Sequence, residues 1–225
     1  MAVCENNRKF ANGNQRLGIM VETNDRRLPV GIQSFEKIRE EGYLYVDKTD
    51  IIWQLANRNK TYNYLSRPRR FGKSVLVDTL ESYFMGKKEL FEGLKIMQFE
   101  TEWVKRPVIR LDMSRAGAEP DTLRSYLDIT FDRLEKEYGI TPKPTAKLAD
   151  RFDAIIVGAY EQTGQQVAIL IDEYDSPLQH SWKTPQHEAC TSIYREVFAI
   201  LKADDKYEKF VLITGITKFT QIPKT

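Results

Sequence analysis

Val167-Ala168-Ile169-Leu170-Ile171 is an unbroken apolar run that stops abruptly at Asp172-Glu173. It constrains the fold more than any other segment. The run is too short for an ordinary helix, and its lack of alternation means that both faces must be covered. A strand buried on both faces needs helices above and below it, which is the arrangement of a mostly parallel sheet.

Other segments supply the rest of such a sheet. Tyr43 to Val46, Tyr62 to Leu65, Pro107 to Met113 and Phe210 to Ile213 read as further strands. Between them the apolar spacing predicts helices. One follows the capping residues Asp47 to Asp50, with Ile51, Ile52 and Leu55 on one side, and a second carries Val75, Leu76, Leu80, Tyr83 and Phe84 and stops at Gly86. A third is capped by Asp121, shows Leu123, Tyr126, Leu127, Phe131, Leu134 and Tyr138 on one face, and closes at Gly139. A fourth runs from about Lys147 to Thr163 before Gly164, and a fifth lies around Glu188 to Lys202. Residues 1–27, rich in Asn, Arg and Gly and without periodicity, read as a disordered leader, so the domain is expected over 28–225.

With 225 residues, 41% of them hydrophobic, the chain can bury one sizeable core. The formal net charge of +2 is carried by the first 30 residues, so global electrostatics do not point to a polyanion. Cys4 and Cys190 are too far apart in sequence for a C-x-x-C pair, which argues against a disulfide framework or a zinc site and fits a reducing cytoplasm. No stretch approaches the ~20 apolar residues of a membrane span, and the start lacks the apolar core of a signal peptide. A cytoplasmic protein without membrane contact is expected.

Two constellations carry chemistry. Arg67-Pro68-Arg69-Arg70-Phe71-Gly72-Lys73-Ser74 lies between a predicted strand and a predicted helix. A turn there presents unpaired backbone N–H groups and the positive end of the helix dipole to phosphate oxygens. Lys73 would reach the β and γ phosphates, and the Ser74 hydroxyl would ligate Mg²⁺. The first glycine of G-x-x-x-x-G-K-[ST] is missing, with Arg67 in its place, so a plain basic surface turn is the competing reading. The second constellation is the strand ending in Asp172-Glu173, about a hundred residues downstream. Its aspartate can hold Mg²⁺ and its glutamate can orient and deprotonate water, whereas the competing reading is an acidic loop turning at Asp175-Ser176-Pro177. The two together, in this order, favour nucleotide binding.

Around them, Arg69, Arg70, Phe71, Gly72, Lys73, Ser74 and Val75 are the expected nucleotide-binding segment. Ser74 and Asp172 are the expected metal ligands, with Glu173 and Lys73 in catalysis. Thr214, at the end of the last strand, fits a residue that senses the γ-phosphate, with Thr217 or Lys218 as substitutes and a simple strand exit as the plainer alternative. Arg67, Arg69 and Arg70 fit a triphosphate clamp better than a nucleic-acid contact. His180 and His187 read as surface or structural residues, and Trp53, Trp103 and Trp182 as packing residues.

These segments, with Leu28 to Arg39, Gly42 to Thr49, Tyr83-Phe84 through Leu90 to Leu94, Ile171 to Asp175 and Ile213 to Gly215, resemble the AAA-ATPase-like family of bacterial proteins over residues 28 to 220. The resemblance implies an α/β fold, a P-loop NTPase three-layer sandwich with a mostly parallel sheet, and use of ATP and Mg²⁺. It implies that the arginine-proline-arginine-arginine loop is the family's own form of the motif, and that Tyr45 to Thr49 lies near the nucleotide. Members usually carry a C-terminal domain of the PD-(D/E)xK nuclease superfamily, through which DNA would be met. No Glu-x-Lys tripeptide occurs in this sequence, and the chain ends where related ATPases continue into a fifth strand. It is therefore expected to be truncated before that strand, with residues 1–25 an added leader and Met20 an alternative start. The leading expectation is an ATPase that drives or gates an attached nuclease-like domain. The alternative is a nucleotide-gated binding module that does not hydrolyse and serves a protein or DNA partner. Homo-oligomer formation and the choice of ATP over GTP are left open by the sequence.

Overall fold

The computed structural model describes residues 27–58, 60–202 and 205–216. The expected leader with Met20 and Cys4, the substitutes Thr217 and Lys218, and the chain end at Thr225 lie outside the described residues.

Four strands, β1 (Tyr62–Ser66), β2 (Val108–Asp112), β3 (Val167–Asp172) and β4 (Glu208–Gly215), form one sheet in the order β1-β4-β3-β2. Every neighbouring pair is parallel. The two-faced burial expected of the apolar run is realised in full, since all of β3 is buried and its residues divide by parity. Val167, Ile169 and Ile171 enter a core built with α4 (Pro120–Glu137), α5 (Leu148–Thr163) and α7 (His187–Phe198). Ala168 and Leu170 enter a second core, with α1 (Phe35–Glu40), α2 (Thr49–Ala56) and α3 (Lys73–Phe84). Helices thus cover both faces, giving a three-layer α/β sandwich of the P-loop NTPase kind. Each fully buried Ile or Leu of β3 contributes roughly 2 kcal/mol of apolar burial, so the strand's acidic end projects from a rigid platform.

The sequence expectation fails at four places. Tyr43 to Val46 joins no strand: its amides turn back on the chain, Tyr43 N–H to the Ile38 carbonyl and Leu44 N–H to that of Arg27. The apolar alternation there serves a different purpose, because the Tyr45 ring packs edge-on against Phe35 at 5.0 Å while Val46 stays exposed. Asp121 lies in the first turn of α4, but the cap position is Glu119 with Pro120 opening the helix, and proline's fixed φ sets that start without a side-chain cap. Ile51 is 53% exposed because the buried stripe of α2 runs through Thr49, Ile52 and Ala56. Trp182 is 63% exposed with its ring edge against His187, whereas Trp103 packs on Tyr83 and Phe91, and Trp53 on Phe99.

The segment leading into α2 is clamped rather than loose. Asp47 accepts from the Thr49 N–H and hydroxyl and from the Lys95 N–H, at 2.9, 2.7 and 2.8 Å. Burial works against its ionisation, but these donors outweigh it and hold the carboxyl below the usual range. The Thr49 hydroxyl in turn accepts from the Ile96 N–H at 3.0 Å. Tyr45 lies 3.5 Å from the Thr79 hydroxyl, so the segment crosses α3 six residues beyond Lys73, roughly 9 Å along the helix axis.

Candidate functional site

Because all four strands are parallel, their carboxyl ends share one edge of the sheet, where ligands of open α/β folds are bound. Register pairs Ser66 with Gly215, Leu65 with Thr214, Ile171 with Ile213, and Asp112 with Asp172. β1 and β3 flank β4, so the loop after β1 and the acids after β3 leave the sheet two strand spacings apart, roughly 10 Å.

The loop after β1 contains two left-handed residues, Arg70 at φ 66° and Gly72 at φ 75°. Glycine takes that conformation freely, whereas for Arg70 it costs about 1 kcal/mol, held by the surrounding loop. Gly72 occupies the cap position of α3 and has no side chain to satisfy the first-turn amides. Those N–H groups are left for solvent or an anion. Lys73 is only 5% exposed, and its ammonium is folded under the loop, donating to the Arg67 and Pro68 carbonyls at 3.0 and 3.1 Å. Arg67, Arg69, Arg70, Phe71 and Gly72 are exposed, and Ser74 and Val75 are half-buried. The root of the loop is tied to β4: the Arg67 N–H donates to the Gly215 carbonyl at 3.1 Å and the Ser66 hydroxyl to that of Ile216 at 2.9 Å.

The acidic end of β3 is locked to β4 as tightly. Asp172 is buried, and the buried Thr214 hydroxyl donates to its Oδ1 at 2.5 Å. The Glu173 N–H donates to both Asp172 Oδ1 and Thr214 Oγ1, each at 3.1 Å, and the Tyr174 N–H donates to the Thr214 carbonyl at 2.8 Å. This network supports the left-handed backbone of Glu173, φ 49°, a strained conformation of the kind that collects at functional sites. Among the described residues nothing donates to Asp172 Oδ2. A carboxylate oxygen there and a serine hydroxyl at the start of α3 are the hard oxygen donors that magnesium takes. Burial raises the Tyr174 and Tyr194 phenols, so both remain neutral. Tyr194 donates its hydroxyl to the Tyr174 carbonyl at 2.7 Å, fixing the turn from behind.

Of the residues expected from sequence, Asp172, Glu173 and Thr214 are in direct contact. Lys73 is linked to them by hydrogen bonds through the loop root and β4, by way of Arg67 and Gly215. His180 and His187 stand apart from this network, each ring nitrogen near a serine hydroxyl, Ser176 at 3.4 Å and Ser181 at 3.1 Å. The sequence gives Asp175 and Gly215 no site role of their own: Asp175 reads as a turn former, and a further acid two residues beyond Glu173 is the available signal.

Comparison with known proteins agrees with this architecture. The profile of a family described as "Predicted AAA-ATPase" matches residues 29–223. A protein of Azotobacter chroococcum mcd 1, described as "Uncharacterized protein in vnfD 5'region", is 35% identical over 202 residues, which are 88% of this chain and 38% of that protein. The chain therefore spans well under half the length of this relative. Among the described residues no helix is long and apolar enough to cross a membrane. With that profile matched over residues 29–223, most of the sequence, the chain belongs to the predicted AAA-ATPase family.

Proposed function

We propose that this domain binds ATP and hydrolyses it with Mg²⁺ at the carboxyl edge of the sheet. The observation that carries the reading is the joint anchoring of two elements on β4: the loop that ends in Lys73 and the turn that contains Asp172 and Glu173. In this reading the amides of 70–75 and the Lys73 ammonium, released from the Arg67 and Pro68 carbonyls, bind the phosphates, with Arg69, Arg70 and Phe71 at the mouth. Ser74 and Asp172 hold the metal, which neutralises charge on the phosphate oxygens when bound. Glu173 orients the attacking water and accepts its proton. Thr214 senses the γ-phosphate through the hydroxyl it shares with Asp172 and the Glu173 amide. When fused to a further domain, as the family resemblance implies, the cycle would drive or gate a nuclease-like unit, and DNA would be met there.

Titration of ATP and GTP, with and without Mg²⁺, tests the reading on the wild type, Lys73→Ala and Glu173→Gln. Binding lost in Lys73→Ala and retained without turnover in Glu173→Gln is the expected pattern. Equal turnover in Glu173→Gln removes its role as base. Mg-ATP binding by the wild type with background turnover selects a nucleotide-gated binding module instead.

A further inference from the structure

Asp175 lies at the cap position of α6 (Ser176–Ser181), where an aspartate before Ser-Pro ordinarily accepts from its own helix. Its carboxylate caps none of that helix's backbone amides. Buried to 4% exposure, its Oδ2 accepts from the side chain of Gln179 within α6, Nε2 at 2.6 Å, and reaches across to the exit of β4, where it accepts from the Ile216 N–H at 2.9 Å. Gly215 is packed against the same group: a Cβ at that position would lie 2.8 Å from Asp175 Oδ1. Gly215 and Ile216 are also the residues whose carbonyls receive Arg67 N–H and Ser66 Oγ. The Arg67 carbonyl then receives the Lys73 ammonium.

An unbroken series of contacts thus runs from a buried carboxylate behind the acidic turn, through the last turn of β4, to the root of the basic loop and its lysine. We propose that Asp175 is a positioning residue for the phosphate-binding loop: by fixing the Gly215-Ile216 peptide it fixes the loop's root at Ser66 and Arg67, from which the loop carries Lys73 toward the phosphates. The glycine at 215 is required by the same contact, since only the absence of a side chain lets the carboxylate approach the strand exit. The functional half of this inference rests on the ATP reading above; the structural half does not.

The test uses the full chain as Asp175→Ala, Asp175→Asn, Gly215→Ala and the double variant Asp175→Ala/Gly215→Ala. Hydrogen exchange without nucleotide reads the anchor directly. In Asp175→Ala the Ile216 and Arg67 amides should exchange at least about tenfold faster, the scale of losing one bond to a charged acceptor, while the β2–β3 ladder is unchanged. Asn keeps the volume and one acceptor, so Asp175→Asn should loosen the same amides less, and it carries the test if the alanine variant fails to fold. Mg-ATP and Mg-ADP affinity should fall roughly tenfold in Asp175→Ala, with turnover at saturation within about threefold of wild type, because Asp172 and Glu173 keep their bonds to Thr214. Gly215→Ala should weaken binding in the wild-type background and do so less in the Asp175→Ala background. Unchanged exchange at Ile216 and Arg67, or equal effects of Gly215→Ala in both backgrounds, overturns the proposal. Absent ATP binding by the wild type removes the ATP reading, and the exchange data still decide whether Asp175 holds the loop.

Discussion

The bond from Thr214 to Asp172 offers the sharpest test of how the site is built, and Thr214→Val is the perturbation that isolates it. Valine matches threonine in shape, so the buried position stays filled and only the hydroxyl is removed. What is lost is a hydrogen bond to a carboxylate, worth about 1.5–3 kcal/mol. The Glu173 N–H is not orphaned, because it retains Asp172 Oδ1 at 3.1 Å. A buried methyl in place of the hydroxyl returns at most about 0.8 kcal/mol. The net cost is about 1–2 kcal/mol, which for a domain of this size lowers Tm by roughly 2–8 °C. Function should be hit separately from stability. An Asp172 carboxylate free to rotate holds a metal less well, so the Mg²⁺ concentration giving half-maximal ATP turnover should rise roughly tenfold, as for other partners that orient metal ligands. Thr214→Ser, which keeps the hydroxyl, should restore the Mg²⁺ dependence. Thermal melting without ligand and a Mg²⁺ titration at saturating ATP measure the two effects. If Thr214→Val melts within about 1 °C of wild type and shows the same Mg²⁺ requirement, the hydroxyl does not orient Asp172.

Two further outcomes follow from the clamps around the loop. Gly72→Ala meets no atom within 4 Å of the added carbon, so its cost is purely that of an L-residue at φ 75°, about 1–2 kcal/mol, and it should appear as a lower Tm together with weaker Mg-ATP binding. Asp47→Asn should lose about 1 kcal/mol at pH 7, a figure kept small by the partial exposure of the group. The Asp47 carboxyl is held below its ordinary value, so its contribution is present above the unfolded-state pKa, near pH 4, and disappears as pH falls through the folded-state value. The gap in Tm between wild type and Asp47→Asn should therefore narrow below about pH 4, and a gap that widens there refutes the assignment.

Much of this arrangement was legible from residue order alone, for reasons that differ from part to part. The run from Val167 to Ile171 could be placed in the middle of a parallel sheet because two-sided burial leaves no polar position. Helices α4 and α5 announced themselves by long apolar stripes ending at Gly139 and Gly164. Tyr43 to Val46 misled because alternation specifies one buried face without saying what buries it; a strand ladder and a ring laid on Phe35 give the same pattern. Asp175 stayed hidden for a related reason. An aspartate before Ser-Pro satisfies the local chemistry of a helix start, and only the tertiary approach of Gly215 and Ile216 shows that its carboxylate is used elsewhere.

The same distinction governs the site as a whole. Gly72-Lys73-Ser74 and Asp172-Glu173 could be named as partners from their chemistry and order, yet among the described residues no hydrogen bond joins the two directly. Both are held by β4, which comes last of the four: Gly215 takes the amide of Arg67 on one side, and Thr214 takes Asp172 and Glu173 on the other. Adjacent residues of one strand thus face the two halves of the site, so a shift of that strand by even a fraction of an ångström must move lysine and acids together. The ligands are written in two motifs, while their spacing is set by a third segment whose own sequence, Ile213-Thr214-Gly215, looks like an ordinary strand end until its neighbours are known.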